Sequence, residues 1–240
     1  MAGEALNTIS GTTAFNPSLG EATLYAFGMC GLRRTQLTAQ HLFDARTAAN
    51  LVLSDWANDQ PNLWTVDLQT IAAPTFQQGV STYSVPASTI LILDAYLTVS
   101  SGGAAPIDLY MFPISRTEWA AFPDKTSQGR PTVYWFDRLI APTVTLWQPP
   151  SNASWIFNYY RVRQMDDAEL ANGGTIEIPY YFLKAFVTAL AAELAPLYAP
   201  ERAIALEAKA EKVWMKARNR NRESVPLYIT PGLTSYHRIR

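Results

Sequence analysis

The sequence has few of the residues on which most catalysis and most nucleic-acid binding depend. It contains one cysteine and two histidines, only 16% of its residues are charged, and its formal net charge is −1. The single cysteine, Cys30, excludes an internal disulfide framework and fits a reducing compartment. A chain without net positive charge is not a broadly basic nucleic-acid binder, because phosphate binding needs many lysines and arginines on one face.

Metal-binding and catalytic motifs are also missing. His41, His237 and Cys30 do not supply three or four ligands at the spacing of a zinc site. The phosphate-loop, dinucleotide and nucleophile-elbow motifs do not occur. The adjacent carboxylates Asp166 and Asp167 cannot flank a bond from two sides as glycosidase carboxylates do. We therefore expect no enzymatic activity, cofactor or metal, and we interpret the stretch QMDDAELANGG as a solvated connector.

Long apolar runs are absent as well. The stretch MAGEALNTISGTT has neither the basic start nor the apolar centre of a secretory signal. The longest candidate span, TILILDAYLTV, is interrupted by Asp94 and is too short to cross a bilayer. We therefore expect no membrane association.

Aromatic side chains, by contrast, are abundant. They make up 12% of the sequence, with seven tryptophans and twelve tyrosines. Many aromatics beside few charges indicate either a chain that buries its surface against partners or an aromatic-rich β core.

Two helices are predicted before residue 60. The Ser18-x-x-Glu21 capping box begins the first, which should end near Gly31. The second should run from Thr38 to about Ala57, with an apolar stripe at intervals of three and four. The stripe consists of Leu42, Ala45, Ala49, Val52 and Trp56.

Two further helices are predicted near the end of the chain. Pro179 should open the first, and Pro196 should end or kink it. Its apolar residues are Leu183, Phe186, Leu190, Leu194 and Leu197. Pro200 should start the second, whose inner seam consists of Ala203, Leu206, Ala210, Val213 and Ala217.

Between these helices, the apolar period changes to two, which predicts strands. The predicted strands are 64–69, 81–85, 89–100, 106–111, 132–136, 143–148 and 153–163. A capping box, Ser115-x-x-Glu118, predicts one helical turn among them. Short strands separated by turns and prolines favour a β-sandwich or a small barrel.

The resulting fold prediction is an α+β protein. Residues 1–62 and 175–222 form a discontinuous bundle of about four helices, residues 63–174 form an inserted β domain, and residues 223–240 form an extended C-terminal arm.

The order of short motifs resembles a known family. In sequence they are LVLSDWAND, GVSTYSVP, ISRTEW, GRPTVYWF, VTLWQPP and IEIPYYFLKAF. This order is similar to that of the head-to-tail adaptors of short-tailed phages, which include tail tubular protein A and head-completion proteins. The resemblance covers roughly residues 37–220, and residues 1–36 and the arm match no family pattern. The motif positions are Trp56, Gly79, Tyr83, Pro86, Ser115, Glu118, Gly129, Pro131, Pro149, Pro179 and Tyr181.

The resemblance implies a structural virion protein at the head–tail junction. Such a protein forms a ring of about twelve copies beneath the portal. A closed ring needs heterologous contacts, in which one surface of each copy meets a different surface of the next. It joins the portal to a tail nozzle or tail tubular protein. DNA passes through the ring without tight binding. A near-neutral chain is consistent with this, because tight binding to phosphates needs many positive charges.

The family resemblance also implies that the arm docks on the portal. The arm keeps apolar residues that disordered segments usually lack, while Pro226 and Pro231 oppose a helix. Such a segment fits docking by strand addition or groove packing. The arm residues assigned to docking are Pro226, Leu227, Tyr228, Ile229, Leu233, Tyr236, Arg238, Ile239 and Arg240.

Two alternatives remain open at the level of sequence. The first is a carbohydrate-binding module with a platform of Tyr83, Trp119, Tyr134, Trp135, Trp147 and Trp155. The second is a glycosidase, which would need two separated carboxylates in a β cleft, such as Asp108 and Glu118.

Overall fold

The computed structural model describes residues 15–59, 63–100, 105–169, 174 and 176–221. Within them the protein is α+β, with five α-helices and seven strands. The helices are α1 (Leu19–Cys30), α2 (Ala39–Asp59), α3 (Arg116–Ala121), α4 (Leu183–Tyr198) and α5 (Ala203–Arg220). The strands are β1 (Val66–Ile71), β2 (Thr82–Ser84), β3 (Thr89–Val99), β4 (Ile107–Pro113), β5 (Val133–Asp137), β6 (Thr143–Trp147) and β7 (Ile156–Arg163).

Both predicted capping boxes are confirmed. The Ser18 hydroxyl accepts the Glu21 N–H at 3.3 Å, and the Glu21 carboxylate accepts the Ser18 N–H at 3.0 Å. Ser115 and Glu118 make the same pair of bonds at the start of α3. Gly31 ends α1 with a φ of 93°, a conformation that only glycine adopts without strain.

Helix α4 is the centre of the helical region, and α1, α2 and α5 all pack against it. Phe186, Leu190 and Leu194 on α4 are buried, as the predicted stripe requires. Leu197 of that stripe is 68% exposed, and Leu42 of the α2 stripe is 38% exposed. Both residues lie near a helix end.

Pro196 lies inside α4, and the helix continues two residues beyond it to Tyr198. A proline is tolerated there because its missing N–H removes only one hydrogen bond near the helix end, where several backbone groups have no intrahelical partner in any case. The Ala199 N–H then closes the helix by bonding to the Ala195 carbonyl at 2.7 Å.

The seven strands form one sheet that curls into a half-barrel, in the order β1-β7-β3-β4-β5-β6-β2. All seven predicted strands are confirmed, with boundaries shifted by a few residues. Neighbours are antiparallel except β4 and β5, which pair in parallel over two residues. The concave side encloses an aromatic-rich core in which Leu97, Met111, Leu146 and Phe157 are completely buried.

Among residues 164–169, the connector from β7 to α4 is solvated only in part: Asp166, Asp167 and Glu169 are exposed, as interpreted from sequence, whereas two other residues are buried. Met165 and Ala168 are 5% and 4% exposed and belong to the helical core. Asn50 on α2 holds this segment, because its side-chain oxygen accepts the Ala168 N–H at 2.8 Å. Glu177 also ties the connector to the sheet by accepting bonds from Arg163 and from the Asp166 N–H.

A buried arginine joins three strands at one end of the sheet. Arg161 on β7 is 6% exposed, and its guanidinium bonds to both carboxylate oxygens of Asp67 on β1, at 2.7 and 3.1 Å. It also donates to the hydroxyls of Ser88 and Thr89 at the start of β3. The hydrogen bond from Arg161 lowers the pKa of Asp67 below its ordinary value.

Candidate functional site

The carboxylates considered for catalysis are occupied by structural contacts. Glu118 is engaged in the capping box of α3, whose backbone hydrogen bond lowers its pKa. Asp108 accepts a hydrogen bond from the Thr98 hydroxyl on the neighbouring strand. Within the described residues, no three or more His, Cys, Asp or Glu side chains lie close enough to hold a metal ion.

His41 and Cys30 have local roles. The Nδ1 atom of His41 accepts a hydrogen bond from the Thr38 N–H at 3.2 Å, so His41 caps the start of α2. Cys30 is 4% exposed, and burial raises the pKa of its thiol. Its Sγ donates to the Ala191 carbonyl, which joins α1 to α4.

Three motif regions far apart in sequence meet at one backbone junction. The Gly79 N–H donates to the Pro150 carbonyl at 2.8 Å, and the Gly129 N–H donates to the Pro149 carbonyl at 2.9 Å. Gly79 has a φ of 79°. A Cβ on Gly129 would lie 1.7 Å from the Gln148 side-chain oxygen, so neither position accommodates a side chain without strain. In this structure, the contacts of these motif residues are architectural.

The other motif residues also have architectural contacts. Trp56 stacks on Trp214 of α5, with ring centroids 4.5 Å apart. Tyr83 is buried against Phe76 and donates its hydroxyl to the Val80 carbonyl at 2.7 Å. Three prolines flank elements: Pro86 follows β2, Pro131 precedes β5, and Pro179 caps the 3-10 turn Tyr180–Phe182 that leads into α4. The α-helix therefore begins at Leu183, one turn after Pro179, which was predicted to open it.

The six aromatics proposed as a sugar platform do not share an exposed face. Tyr83 and Tyr134 belong to the sheet core, and Trp155 packs against it. Trp119, Trp135 and Trp147 are half-buried in a ring cluster with Phe122, which holds α3 on the sheet. These side chains stabilise the fold and leave little ring surface for a ligand.

A different aromatic group lies on the convex side of the sheet. Register places Tyr96 beside Tyr110, and Asp94 beside Tyr160. Phe112 follows two residues after Tyr110 on the same side, with the two rings 5.1 Å apart. We call Tyr96, Tyr110, Phe112 and Tyr160 the aromatic face. Tyr110, Phe112 and Tyr160 are 52%, 61% and 41% exposed.

Hydrogen bonds across the strands fix the backbone beneath the aromatic face. Asn158 on β7 accepts a bond from Thr70 on β1 and donates to Thr98 on β3, both at 2.9 Å. The Tyr110 hydroxyl donates to Asp94 at 3.2 Å. Desolvation and this bond to Asp94 raise the pKa of Tyr110. The aromatic face is therefore a preorganised surface, which lowers the entropy cost of binding.

A second exposed apolar surface lies on α2. Phe43, Thr47 and Leu51 are spaced four apart, and Phe43 and Leu51 are 64% and 58% exposed. They lie away from the buried side of α2, which carries Ala45, Ala49 and Val52. We call this surface the α2 ridge.

An open groove of about 480 Å³ separates α2 from α5, with α4 as its floor. Its apolar lining consists of Val52, Trp56, Ala189, Ala192, Ala210 and Trp214. Four carboxylates line it as well, from Asp55, Glu193, Glu207 and Glu211, and none of the described residues that line it is a lysine or arginine. We call it the acidic groove.

The predicted C-terminal arm lies outside the described residues. The segment Tyr180–Tyr198 has the length and apolar composition to cross a membrane, and half of it is buried inside the fold. The central helix of a folded domain meets the same two criteria. No protein-family model matches the chain, and no curated protein is significantly similar to it.

Proposed function

We propose that this protein is a head-to-tail adaptor of a short-tailed phage. In this role it forms a ring of about twelve copies beneath the portal, since closed rings are built from repeated heterologous contacts. The ring joins the portal to the tail nozzle or tail tubular protein and surrounds part of the DNA channel. The order of sequence motifs is the origin of the proposal.

The domain division is part of the proposal. The helical bundle comprises residues 1–62 and 175–222, the inserted β domain comprises residues 63–174, and the arm comprises residues 223–240. Two separate hydrophobic cores support the division, because one is made by helices from both parts of the chain and the other by the sheet. The bonds from Asn50 and Glu177 to the connector hold the two regions together.

The observation that carries the proposal is a pair of unlike exposed apolar surfaces on one subunit. The aromatic face belongs to the sheet and the α2 ridge to the helical region, so the two are different patches. Head-to-tail packing in a ring requires different patches on the two sides of each subunit. Aromatic side chains with few charges are also enriched at the centres of protein interfaces.

The C-terminal arm serves as the portal contact in this proposal, through its apolar residues and through Arg238 and Arg240. A formal net charge of −1 fits a conduit that lets DNA move, because each phosphate contact adds to salt-dependent affinity. The adaptor role needs no catalytic group or cofactor.

The test is assembly with the portal ring of the same phage, observed by electron microscopy and native mass spectrometry. We expect Leu51→Glu and the double variant Tyr110→Ser/Phe112→Ser to fold and to fail to join the portal as a ring. Leu139→Ser is the matched control, because Leu139 is equally exposed, at 59%, but lies in the β5–β6 turn. Normal rings from both surface variants would refute the proposal.

The aromatic face also favours a second candidate, a carbohydrate-binding module. Exposed rings on a rigid sheet can stack on sugar rings, although the residues differ from those predicted. Titration with oligosaccharides, followed by the NMR signals of the Tyr96, Tyr110 and Tyr160 rings, separates the candidates. Saturable shifts that disappear in the Tyr110→Ser/Phe112→Ser variant would favour the module over the adaptor.

A further inference from the structure

Helix α5 is only half covered by the part of the chain that the structure describes. Its predicted seam is regular, yet only Leu206 and Ala217 of α5 are buried. Ala210 and Trp214 are half-buried and line the acidic groove, and Val213 beside them is half-buried against the helical core. A helix with an apolar seam gains its stability from packing, so the groove is a position where a further segment can pack.

The chemistry of the groove defines its occupant. The groove presents four carboxylates around an apolar floor of alanine and tryptophan side chains. A segment that fits must therefore carry cationic groups together with apolar side chains. Arginine suits this site because its guanidinium pairs with carboxylates and stacks on aromatic rings.

One segment of the same chain meets this description. Residues 222–240 contain Arg222, Arg238 and Arg240 against one acidic residue, Glu223, and they carry Tyr236 and Ile239 beside the last two arginines. By contrast, the sequence of residues 1–14 contains Glu4 and no lysine or arginine. Charge complementarity thus selects the C-terminal segment.

The covalent distance is also short enough. From Asn221, at the end of α5, Trp214 lies about 10 Å back along the helix and Glu207 about 21 Å back, at 1.5 Å per residue. A chain of the length of residues 222–238 spans up to about 55 Å. A tethered segment that can reach its site has an effective concentration of about 1 mM, which favours binding within one subunit over binding between subunits.

We infer that residues 236–240 dock in the acidic groove of their own subunit, with Arg238 and Arg240 against Glu207 and Glu211. The docked segment covers the open side of α5 in the free protein. Because the same arginines belong to the surface assigned to the portal, docking keeps the free arm out of reach until a partner competes for it. The docking itself does not depend on the proposed adaptor function.

The test uses the full chain with a nitroxide label on Ser235→Cys. Cys30 remains in place, because burial and its raised pKa make its thiol unreactive. The readout is paramagnetic broadening of the Trp214 indole N–H signal, assigned with Trp214→Phe, and compared with the same sample after reduction of the label. At about 10 µM protein and about 0.05 M salt, we expect strong broadening, which should weaken toward 1 M salt because the charges are screened.

Charge reversal tests the groove. Glu207→Lys/Glu211→Lys should abolish the broadening, and adding Arg238→Glu/Arg240→Glu should restore it. Glu201→Lys is the matched control, since Glu201 is on the turn before α5 and does not line the groove. The inference is overturned by absence of broadening, by broadening that survives the groove reversal, or by broadening that grows with protein concentration, which would place the segment on a second copy.

Discussion

Removing the carboxylate beside Arg161 should destabilise the protein more than removing the whole ion pair. In Asp67→Asn, the Arg161 guanidinium stays buried and loses its two charge-assisted bonds. Breaking a buried pair in this way costs about 3 to 5 kcal/mol. Because the Asp67 side chain is 34% exposed, water can replace part of the lost interaction, so we take the lower end, about 3 kcal/mol.

The double variant Asp67→Asn/Arg161→Met separates two effects on the free energy of unfolding: the cost of a buried charge without a partner, and the loss of the contacts that the ion pair makes. Replacing a buried ion pair by apolar groups is often close to neutral. Here the Thr89 hydroxyl also loses its donor, which costs about 1 kcal/mol. We therefore expect the double variant to lie about 1 kcal/mol below wild type, and above Asp67→Asn, in free energy of unfolding.

Urea unfolding at pH 7, followed by circular dichroism, measures the three proteins. For a chain of this size, 3 kcal/mol corresponds to a fall in Tm of about 6 to 12 °C. Gln69→Ala is the control, because Gln69 also bonds to Asp67 but carries no charge. A double variant less stable than Asp67→Asn alone would show that the guanidinium is not an uncompensated charge, and the reasoning would fail.

The effect of Asp67→Asn on the free energy of unfolding should depend on pH. The pKa of Asp67 is lowered in the folded state, mainly by the hydrogen bond from Arg161. Its contribution is therefore fully present above the unfolded pKa of about 3.9 and is lost as the pH falls through the lower folded value. The stability difference between wild type and Asp67→Asn should be constant from pH 7 to about 5 and should shrink below about pH 4. A difference that persists unchanged at pH 2.5 would contradict this assignment.

Three further predictions concern the helices. Leu190→Ala, at a completely buried position of α4, should cost about 3 kcal/mol in urea unfolding, whereas Leu197→Ala, 68% exposed, should change little. Ser115→Ala should cost about 1 kcal/mol by removing the cap of α3, and Ser115→Thr should recover most of it. Tyr198→Phe should cost about 1 kcal/mol by removing the hydroxyl that bonds to Asp44. The bond to Asp44 raises the pKa of Tyr198 to about 12, so a tyrosine absorbance titration should lose one high-pH step in that variant.

The elements that sequence predicted well are those with local causes. The capping boxes at Ser18 and Ser115 were predictable because both partners lie within one helical turn. The strands were predictable because alternation with a period of two is itself a local pattern. The path of the connector was not, because Ala168 is held by a bond to Asn50, which is 118 residues away, and Met165 is buried in the same helical core.

The aromatic face was missed for a different reason. In β7, aromatic residues occupy both faces, so alternation does not tell which set is outward. Tyr159 is buried and Tyr160 exposed, although they are neighbours of the same residue type. Only the pairing of Asp94 with Tyr160 and of Tyr96 with Tyr110 brings the outward set together. The predicted platform instead favoured tryptophans, which pack in the ring cluster between α3 and the sheet or, for Trp155, against the sheet core.

The seam of α5 is an apolar pattern that the described residues cover only in part. Its spacing is as regular as that of α4, yet α4 is covered by three helices and α5 chiefly by one. The difference lies in the partners and not in the pattern. If the C-terminal segment covers this side in the free subunit, a portal that removes the segment exposes the seam again. Ring formation and portal binding would then be coupled through one surface, since the groove is free for another segment only after the arm has left it.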